Sequence, residues 1–230
     1  MKPVLPYPFI QIAGICDSAE ADLVIRCGVP ALGFPLRLAV HREDLTEDEA
    51  ARIIASLPAP SFGVLITYLD KARDIDAFCR KLGSRHVQLH GDVSRGELAE
   101  LRRLDPELLV IKSLIVRGEN ESGLQREVAD LADVVDAFIT DTYDPATGAT
   151  GATGKLHDWR ISANLVAISP RPVILAGGLK PDNVYDAIAR VHPAGVDAHT
   201  GVEGPDGRKD EALVRCFADE ARRGFADLVH

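Results

Sequence analysis

The chain has no Cys-x-x-Cys pair, no block of basic residues, no apolar run long enough to cross a bilayer and no linker rich in Pro, Gly or Ser. Each absence excludes something. Its four cysteines, Cys16, Cys27, Cys79 and Cys216, are too widely spaced for a zinc ribbon and read as reduced thiols. Lys and Arg number 26 against 35 Asp and Glu, a formal charge of −9, so nothing is arranged to track a phosphate backbone. Nucleic acid and anionic membranes are therefore not expected as partners. The longest apolar runs, such as Val64 to Ile66 and Pro172 to Ala176, fall far short of the roughly 20 residues of a membrane span. The opening MKPVLPYPFIQIAG carries early prolines and lacks the apolar stretch of a secretory signal, so the expected compartment is the cytoplasm. What is present is a globular composition, 46% hydrophobic and 27% charged over 230 residues, which without a linker reads as one domain.

Short β-like runs alternate with helix-like stretches along the whole chain, the sequence form of a parallel sheet with crossover helices. The expected strands are Phe9 to Ala13, Ala31 to Leu36, Phe62 to Thr67, His86 to His90, Leu108 to Leu114, Val135 to Thr140, Val173 to Ala176 and Val196 to Thr200. The helices between and after them are Ser18 to Cys27, Thr46 to Ser56, Lys71 to Leu82, Gly96 to Leu104, Ser122 to Leu131, Trp159 to Ile168, Pro181 to Val191 and Lys209 to Ala226. Thr46-Glu47-Asp48-Glu49 has the form of a capping box, and Pro181 suits a first helical turn, where its missing N–H costs nothing. Ile75, Phe78, Cys79 and Leu82 make one apolar stripe at helical spacing. Eight βα units in 230 residues predict a (β/α)₈ barrel of the α/β class, slightly smaller than the usual ~250 residues. Periodicity alone does not show closure, and a doubly wound open sheet has the same pattern.

In such barrels the chemistry sits at the C-terminal ends of the strands. The polar residues expected there are Gln11 and Cys16 around the first strand, Arg42 beyond the second, Gln88 and His90 on the fourth and Lys112 on the fifth. Asp141 closes the sixth, and Asp197, His199 and Thr200 close the eighth. Gly177-Gly178 after the seventh strand and Thr200-Gly201 after the eighth form a candidate phosphate grip, because glycine frees backbone amides to point at a dianion. Each glycine loop taken alone reads as a tight turn; it is their pairing on neighbouring strands that favours a phosphate. A third glycine-rich tract, Thr147 to Lys155, is either a plain loop or a lid over the ligand.

The segments QIAGICDSAEADLVIRCGVPALGF (Gln11 to Phe34), VQLHGD (Val87 to Asp92), TDT (Thr140 to Thr142), GATGKLHDW (Gly151 to Trp159), LAGGLKPDNV (Leu175 to Val184) and GVDAHTGVEGPDGRKD (Gly195 to Asp210) together resemble phosphoribosylanthranilate isomerase of tryptophan biosynthesis. The resemblance runs the length of the chain. It implies a (β/α)₈ barrel that carries out an Amadori rearrangement, turning a phosphoribosyl-amine aldose into a 1-deoxyketose, with no metal or organic cofactor. It assigns the general acid to Asp141, the anthranilate-contacting arginine to Arg42, a polar substrate contact to Asp197 and the phosphate amides to the surroundings of Gly178 and Gly201. An arginine fork is a natural partner for the anthranilate carboxylate; Arg42 among His41, Glu43 and Asp44 is equally readable as a surface residue.

The chain departs from the family at the base. Where the family has Lys-Ile-Cys-Gly, with the cysteine as base, this sequence has Gln11-Ile12-Ala13-Gly14. Alanine accepts no proton, so a weakened turnover of phosphoribosylanthranilate is expected unless another group serves. Cys16 is one candidate, if its loop folds back and its thiol is acidified. His199, standing where the family has the first of two serines, is another because imidazole titrates near neutrality. A loop thiol and a packed histidine are the respective alternatives. Three readings follow: a divergent isomerase, a paralogue for another phosphorylated sugar or amino-sugar, and a phosphosugar-binding protein without catalysis. The expected partner in all three is a phosphorylated small molecule, and the chain is expected to be a monomer or a homodimer.

Overall fold

A computed structural model describes residues 2–38, 43–118, 120–142 and 158–228. Strands and helices alternate as β1 (Phe9–Ala13), α1 (Ser18–Arg26), β2 (Ala31–Pro35), α2 (Glu47–Ser56), β3 (Phe62–Thr67), α3 (Ala72–Leu82), β4 (His86–Leu89) and α4 (Arg95–Leu104). The second half continues with β5 (Leu109–Val116), α5 (Glu121–Leu131), β6 (Ala137–Thr142), α6 (Trp159–Ile168), β7 (Val173–Leu175), α7 (Val184–Val191), β8 (Gly195–Ala198) and α8 (Glu211–Asp227). Every strand is parallel to the next, and β8 returns to pair with β1, Gln11 beside Asp197. The sheet is a closed (β/α)₈ barrel, a closure that periodicity by itself leaves open. No helix of the described residues is long and apolar enough to cross a membrane.

Two apolar layers follow from the two faces of each strand. Phe9, Ala31, Val64, Leu109, Ile111, Ala137, Ile139, Ile174 and Ala176 fill the inside of the barrel, with Leu5 and Phe62 packed against them. The alternate residues, among them Ile10, Ile12, Leu32, Leu65, Val87, Val110 and Phe138, pack outward into the shell of helices. Each large side chain so buried contributes on the order of 1.5–3 kcal/mol. The inside is filled mainly by hydrocarbon at the N-terminal end, where His86 stacks on Phe62, and Gln11, Gln88, Asp141 and Asp197 take inward positions further along.

Local chemistry accounts for most helix starts. Thr46 and Glu49 make the expected reciprocal capping box at α2, and Asp17, Ser94, Asp158 and Asp210 accept a backbone N–H at the first turns of α1, α4, α6 and α8. Three boundaries differ from expectation in ways that touch the site. β6 runs to Thr142, so Asp141 lies within the strand and not at its close. β8 stops at Ala198 and the chain turns sharply at His199 into a single 3-10 turn, Thr200–Val202. α7 begins at Val184, because Asn183 folds its side chain back onto the Gly178 carbonyl and holds residues 181–183 as a turn. Gly177-Gly178 thus does not lead directly into a helix.

Candidate active site

The inward polar residues form one connected floor at the C-terminal end of the barrel. Gln11 Nε2 donates to Asp197 Oδ1 at 2.9 Å on the neighbouring strand and to Gln88 Oε1 at 3.0 Å across the barrel. With its oxygen so engaged, Gln88 turns its Nε2 to His90 Nε2 at 2.7 Å. The amide donates there, so the imidazole carries its own proton on Nδ1. That Nδ1 faces Asp141 Oδ2 at 3.9 Å, too long for a hydrogen bond. Among the described residues five buried side-chain atoms have no hydrogen-bond partner, Gln11 Oε1, His90 Nδ1, Ser113 Oγ, Thr140 Oγ1 and Trp159 Nε1, and the first two belong to this floor. Leaving such groups unpaired costs about 1–3 kcal/mol each, which points to a ligand that satisfies them.

The floor holds two carboxyls and, among the described residues, no cation in direct contact with either. Burial pushes Asp141 up from 3.8 to about 7, with the nearby Asp197 adding to the rise and the Thr142 N–H, donating at 2.7 Å, opposing it. Burial likewise pushes Asp197 up to about 7, against the Gln11 hydrogen bond and the more distant charge of Lys209. His90 is held neutral, lowered to about 3 by burial and by the charge of Lys112. A carboxylic acid that keeps its proton near neutrality is what a general acid requires.

Above this floor the first and eighth strands meet. The register of the two strands runs from Phe9 beside Gly195 to Ile12 beside Ala198, and past its end β1 reaches Ala13 while the chain turns at His199. The His199 ring lies directly on Gly14: a Cβ there would sit 2.1 Å from Nε2. Gly14 also has φ +80°, so its lack of a side chain is required twice over. The same Nε2 lies 3.4 Å from Glu203 Oε1, which in turn receives Lys209 Nζ at 2.5 Å. Glu203 and Lys209 face each other across an antiparallel bridge closed by the Gly204-Pro205-Asp206-Gly207 turn, and Lys209 Nζ also donates to the His199 carbonyl at 3.3 Å. Neither residue is among the sequence candidates. The turn residues between them, and the four-residue step from His199 to Glu203, are the signals the sequence offers.

Other expected site residues fall differently. Lys112 lies on the outer face of β5 between Val110 and Leu114, where Nζ bonds the Ser113 carbonyl and lies 3.5 Å from Glu127; it belongs to the helix shell. Cys16 is half-buried beside Glu20, and burial together with that carboxylate pushes its thiol up to about 12. The acidification a basic thiolate needs is thus reversed. Its neighbours form a structural clamp, with Arg208 bound to Asp17 at 2.6 Å and to Glu20 at 2.9 Å, tying α1 to the loop after β8. Gly177 and Gly178 both take positive φ, 92° and 68°, and a Cβ on Gly201 would come within 1.9 Å of the Leu179 carbonyl. The two glycine loops therefore lie against each other, Thr200 and Gly201 in the 3-10 turn beside the turn that follows β7. Arg42 and the tract Thr147 to Lys155 lie outside the described residues.

Comparison with known proteins agrees with this architecture. The family model of N-(5'phosphoribosyl)anthranilate (PRA) isomerase matches residues 12–220. An N-(5'-phosphoribosyl)anthranilate isomerase 2 of Methanosarcina mazei is 37% identical over 217 residues, covering 94% of this chain and 95% of its own. The isomerase of Haloferax volcanii is 35% identical, with 95% and 96% covered. The crystal structure of phosphoribosyl anthranilate isomerase from Thermotoga maritima superposes with a TM-score of 0.78 at 28% identity, covering 93% of this chain and 98% of that one. A solved complex of the isomerase with reduced 1-(o-carboxyphenylamino)-1-deoxyribulose 5-phosphate superposes at 0.77, with 26% identity and the same coverage. With the match extending over nearly the whole barrel, this chain belongs to the phosphoribosylanthranilate isomerase family.

Proposed function

We propose that this protein isomerises phosphoribosylanthranilate to the corresponding 1-deoxyribulose phosphate, with Asp141 as general acid and His199 taking the part of the absent thiol as general base. The observation that carries this reading is the presence, at the C-terminal end of the barrel, of a buried carboxyl raised to about 7 and of an imidazole resting on Gly14, next to Ala13 in the chain. Asp141 donates its proton to the ribose ring oxygen as the C1′–O bond breaks, and the nitrogen lone pair forms the C1′=N iminium. His199 then removes the C2′ proton; the C–H electron pair becomes the C1′=C2′ bond and the iminium π pair returns to nitrogen. Loss of the O2′ proton to the Asp141 carboxylate and return of a proton from His199 to C1′ give the ketone and restore both groups.

Several features support the assignment of the rest of the site. Gln11 Oε1 and the His90 Nδ1–H are an acceptor and a donor suited to sugar hydroxyls, with Gln88 holding both and Asp197 beside them. The amides of Gly177, Gly178, Thr200 and Gly201 are assigned to the phosphate, and Arg42 to the anthranilate carboxylate. Freshly generated phosphoribosylanthranilate is the substrate for the test, its conversion to the 1-deoxyketose followed by chromatography. Turnover by the natural protein that is abolished in both Asp141→Asn and His199→Ala is the expected result; full activity in either variant removes that residue from the mechanism.

A further inference from the structure

Among the described residues one donor of the floor, the His90 Nδ1–H, meets no acceptor of the protein. Resting on the isomerase reading above, we propose that His90 is a further catalytic residue: its imidazole donates Nδ1–H to the substrate's O2′ and stabilises the charge that gathers on that oxygen as the enol becomes the ketone.

The direction of this donor is set across the barrel. Asp197 Oδ1 and Gln88 Oε1 take both protons of the Gln11 amide, at 2.9 and 3.0 Å. Gln88 is left to present its own Nε2 to His90 Nε2 at 2.7 Å, and two nitrogens so close need a lone pair on one of them. The amide nitrogen has none to offer, so the ring accepts there and keeps its proton on Nδ1. The ring is also fixed in place. The His90 backbone N–H donates to the Thr67 carbonyl at 2.9 Å, and the Tyr68 ring lies tilted against the imidazole with centroids 5.6 Å apart.

Across from Nδ1 stands Asp141 Oδ2, at 3.9 Å. The two make no hydrogen bond with each other, but a single oxygen at the ordinary length of about 2.8–3.0 Å from each joins them at an angle of roughly 80–90°. In the reaction above, O2′ is the oxygen whose proton the Asp141 carboxylate takes. As that O–H bond breaks, its electron pair becomes the second C2′–O bond, and the C1′=C2′ pair takes a proton at C1′. Whenever the first event runs ahead of the second, O2′ is negative, and a fixed donor stabilises it most at that moment. An imidazolium would protonate O2′ and compete with Asp141, whereas a neutral imidazole donates without giving up its proton. Burial and the charge of Lys112 hold the ring neutral, and the Gln88 amide against Nε2 leaves no place for a second proton. The His90 and Asp141 side chains are 5% and 8% exposed, so little water competes for either.

The test reads the tautomer, the bound product and the turnover separately. Ring ¹⁵N NMR of the intact protein should show His90 with its proton on Nδ1; a proton on Nε2 overturns the proposal whatever the variants do. With the 1-deoxyketose product labelled by ¹³C at C2′, the bound ketone resonance should lie downfield of the free one in the natural protein and return toward it in His90→Leu. In turnover of phosphoribosylanthranilate, His90→Leu should lose about 10²- to 10³-fold in kcat with KM changed little. His90→Asn, which places an amide N–H near the position of Nδ1, should recover part of both effects. Gln88→Glu, which accepts from the ring and turns the tautomer round, should lose kcat in the same way with His90 in place, and it carries the test if His90→Leu does not fold. A downfield shift lost in His90→Leu with kcat unchanged reduces the contact to binding and overturns the catalytic role. A resonance and kcat both unchanged overturn the contact itself and leave the isomerase reading standing. Absence of turnover by the natural protein overturns that reading, and the catalytic role of His90 falls with it.

Discussion

Replacing Asp141 by asparagine should make the protein more stable and less active, and the gain in stability should grow with pH. In the folded protein the carboxyl is pushed from 3.8 to about 7 by burial and by Asp197. A raised carboxyl binds its proton more tightly folded than unfolded, so its contribution to stability is fully present below pH 3.8 and is lost as pH rises through about 7. Between those two values folding loses about 1.4 kcal/mol for every pH unit, because the unfolded chain releases the proton and the folded one keeps it. From pH 5 to pH 8 the loss at Asp141 therefore comes to about 2–3 kcal/mol. Asparagine, equal in shape and never charged, escapes it. In a chain of this size a change of that order moves the melting temperature by roughly 4–12 °C. Thermal unfolding of both proteins at the two pH values is the assay. The variant's advantage should widen from pH 5 to pH 8, while turnover falls by about 10²- to 10⁴-fold, the usual worth of a general acid. The natural enzyme should also lose activity as pH rises above about 7, where Asp141 gives up the proton it must donate. An advantage that is the same at both pH values means that Asp141 is ionised throughout, and the acid assignment fails with it.

Three further outcomes are expected. Ala13→Cys placed in a His199→Ala background should recover at least about tenfold of the lost turnover, because the His199 ring rests on Gly14, the next residue after Ala13; no recovery, with phosphate affinity retained, refutes that equivalence. Gly201→Ala should destabilise the loop and raise KM for the phosphorylated substrate far more than it lowers kcat, since its Cβ meets the Leu179 carbonyl at 1.9 Å; unchanged KM in a folded variant removes the glycine pair from the phosphate site. With a thiol reagent at pH 8, the exposed Cys216 should react promptly and Cys16 slowly, its thiol held up at about 12 beside Glu20; rapid labelling of Cys16, mapped by peptide mass, contradicts the clamp described for that corner.

Much of this protein is legible from local sequence. The alternation of apolar runs places every strand within a few residues, because a strand buried on both faces has no other way to be written. The cap of Thr46 with Glu49 is a chemical signal confined to four residues, and a reader of the chain meets it whole. Asp141 and the glycines at 177, 178 and 201 stand out for the same reason: each sits near the end of a strand in a recognisable motif. The strand ends are less legible. Where β8 stops and α7 starts depends on Asn183 reaching the Gly178 carbonyl and on the ring of His199 resting on Gly14, contacts made between elements.

Only the tertiary structure decided which polar groups belong together. Barrel closure sets Gln11 against Asp197, a pairing of residues 186 apart that no window of sequence contains, and brings the ring of His199 onto Gly14. The alternation of faces sends Lys112 outward to Glu127 and Gln88 inward to Gln11, although both lie on strands that read alike. Protonation follows from the same cause. A carboxyl at Asp141 or Asp197 is an ordinary acid in the sequence and is pushed up to about 7 only when a closed barrel removes water and, at Asp141, places a second carboxyl nearby. The residue types were written along the chain; their charge states and their partners came from burial and register, which are properties of the closed sheet and not of any segment within it.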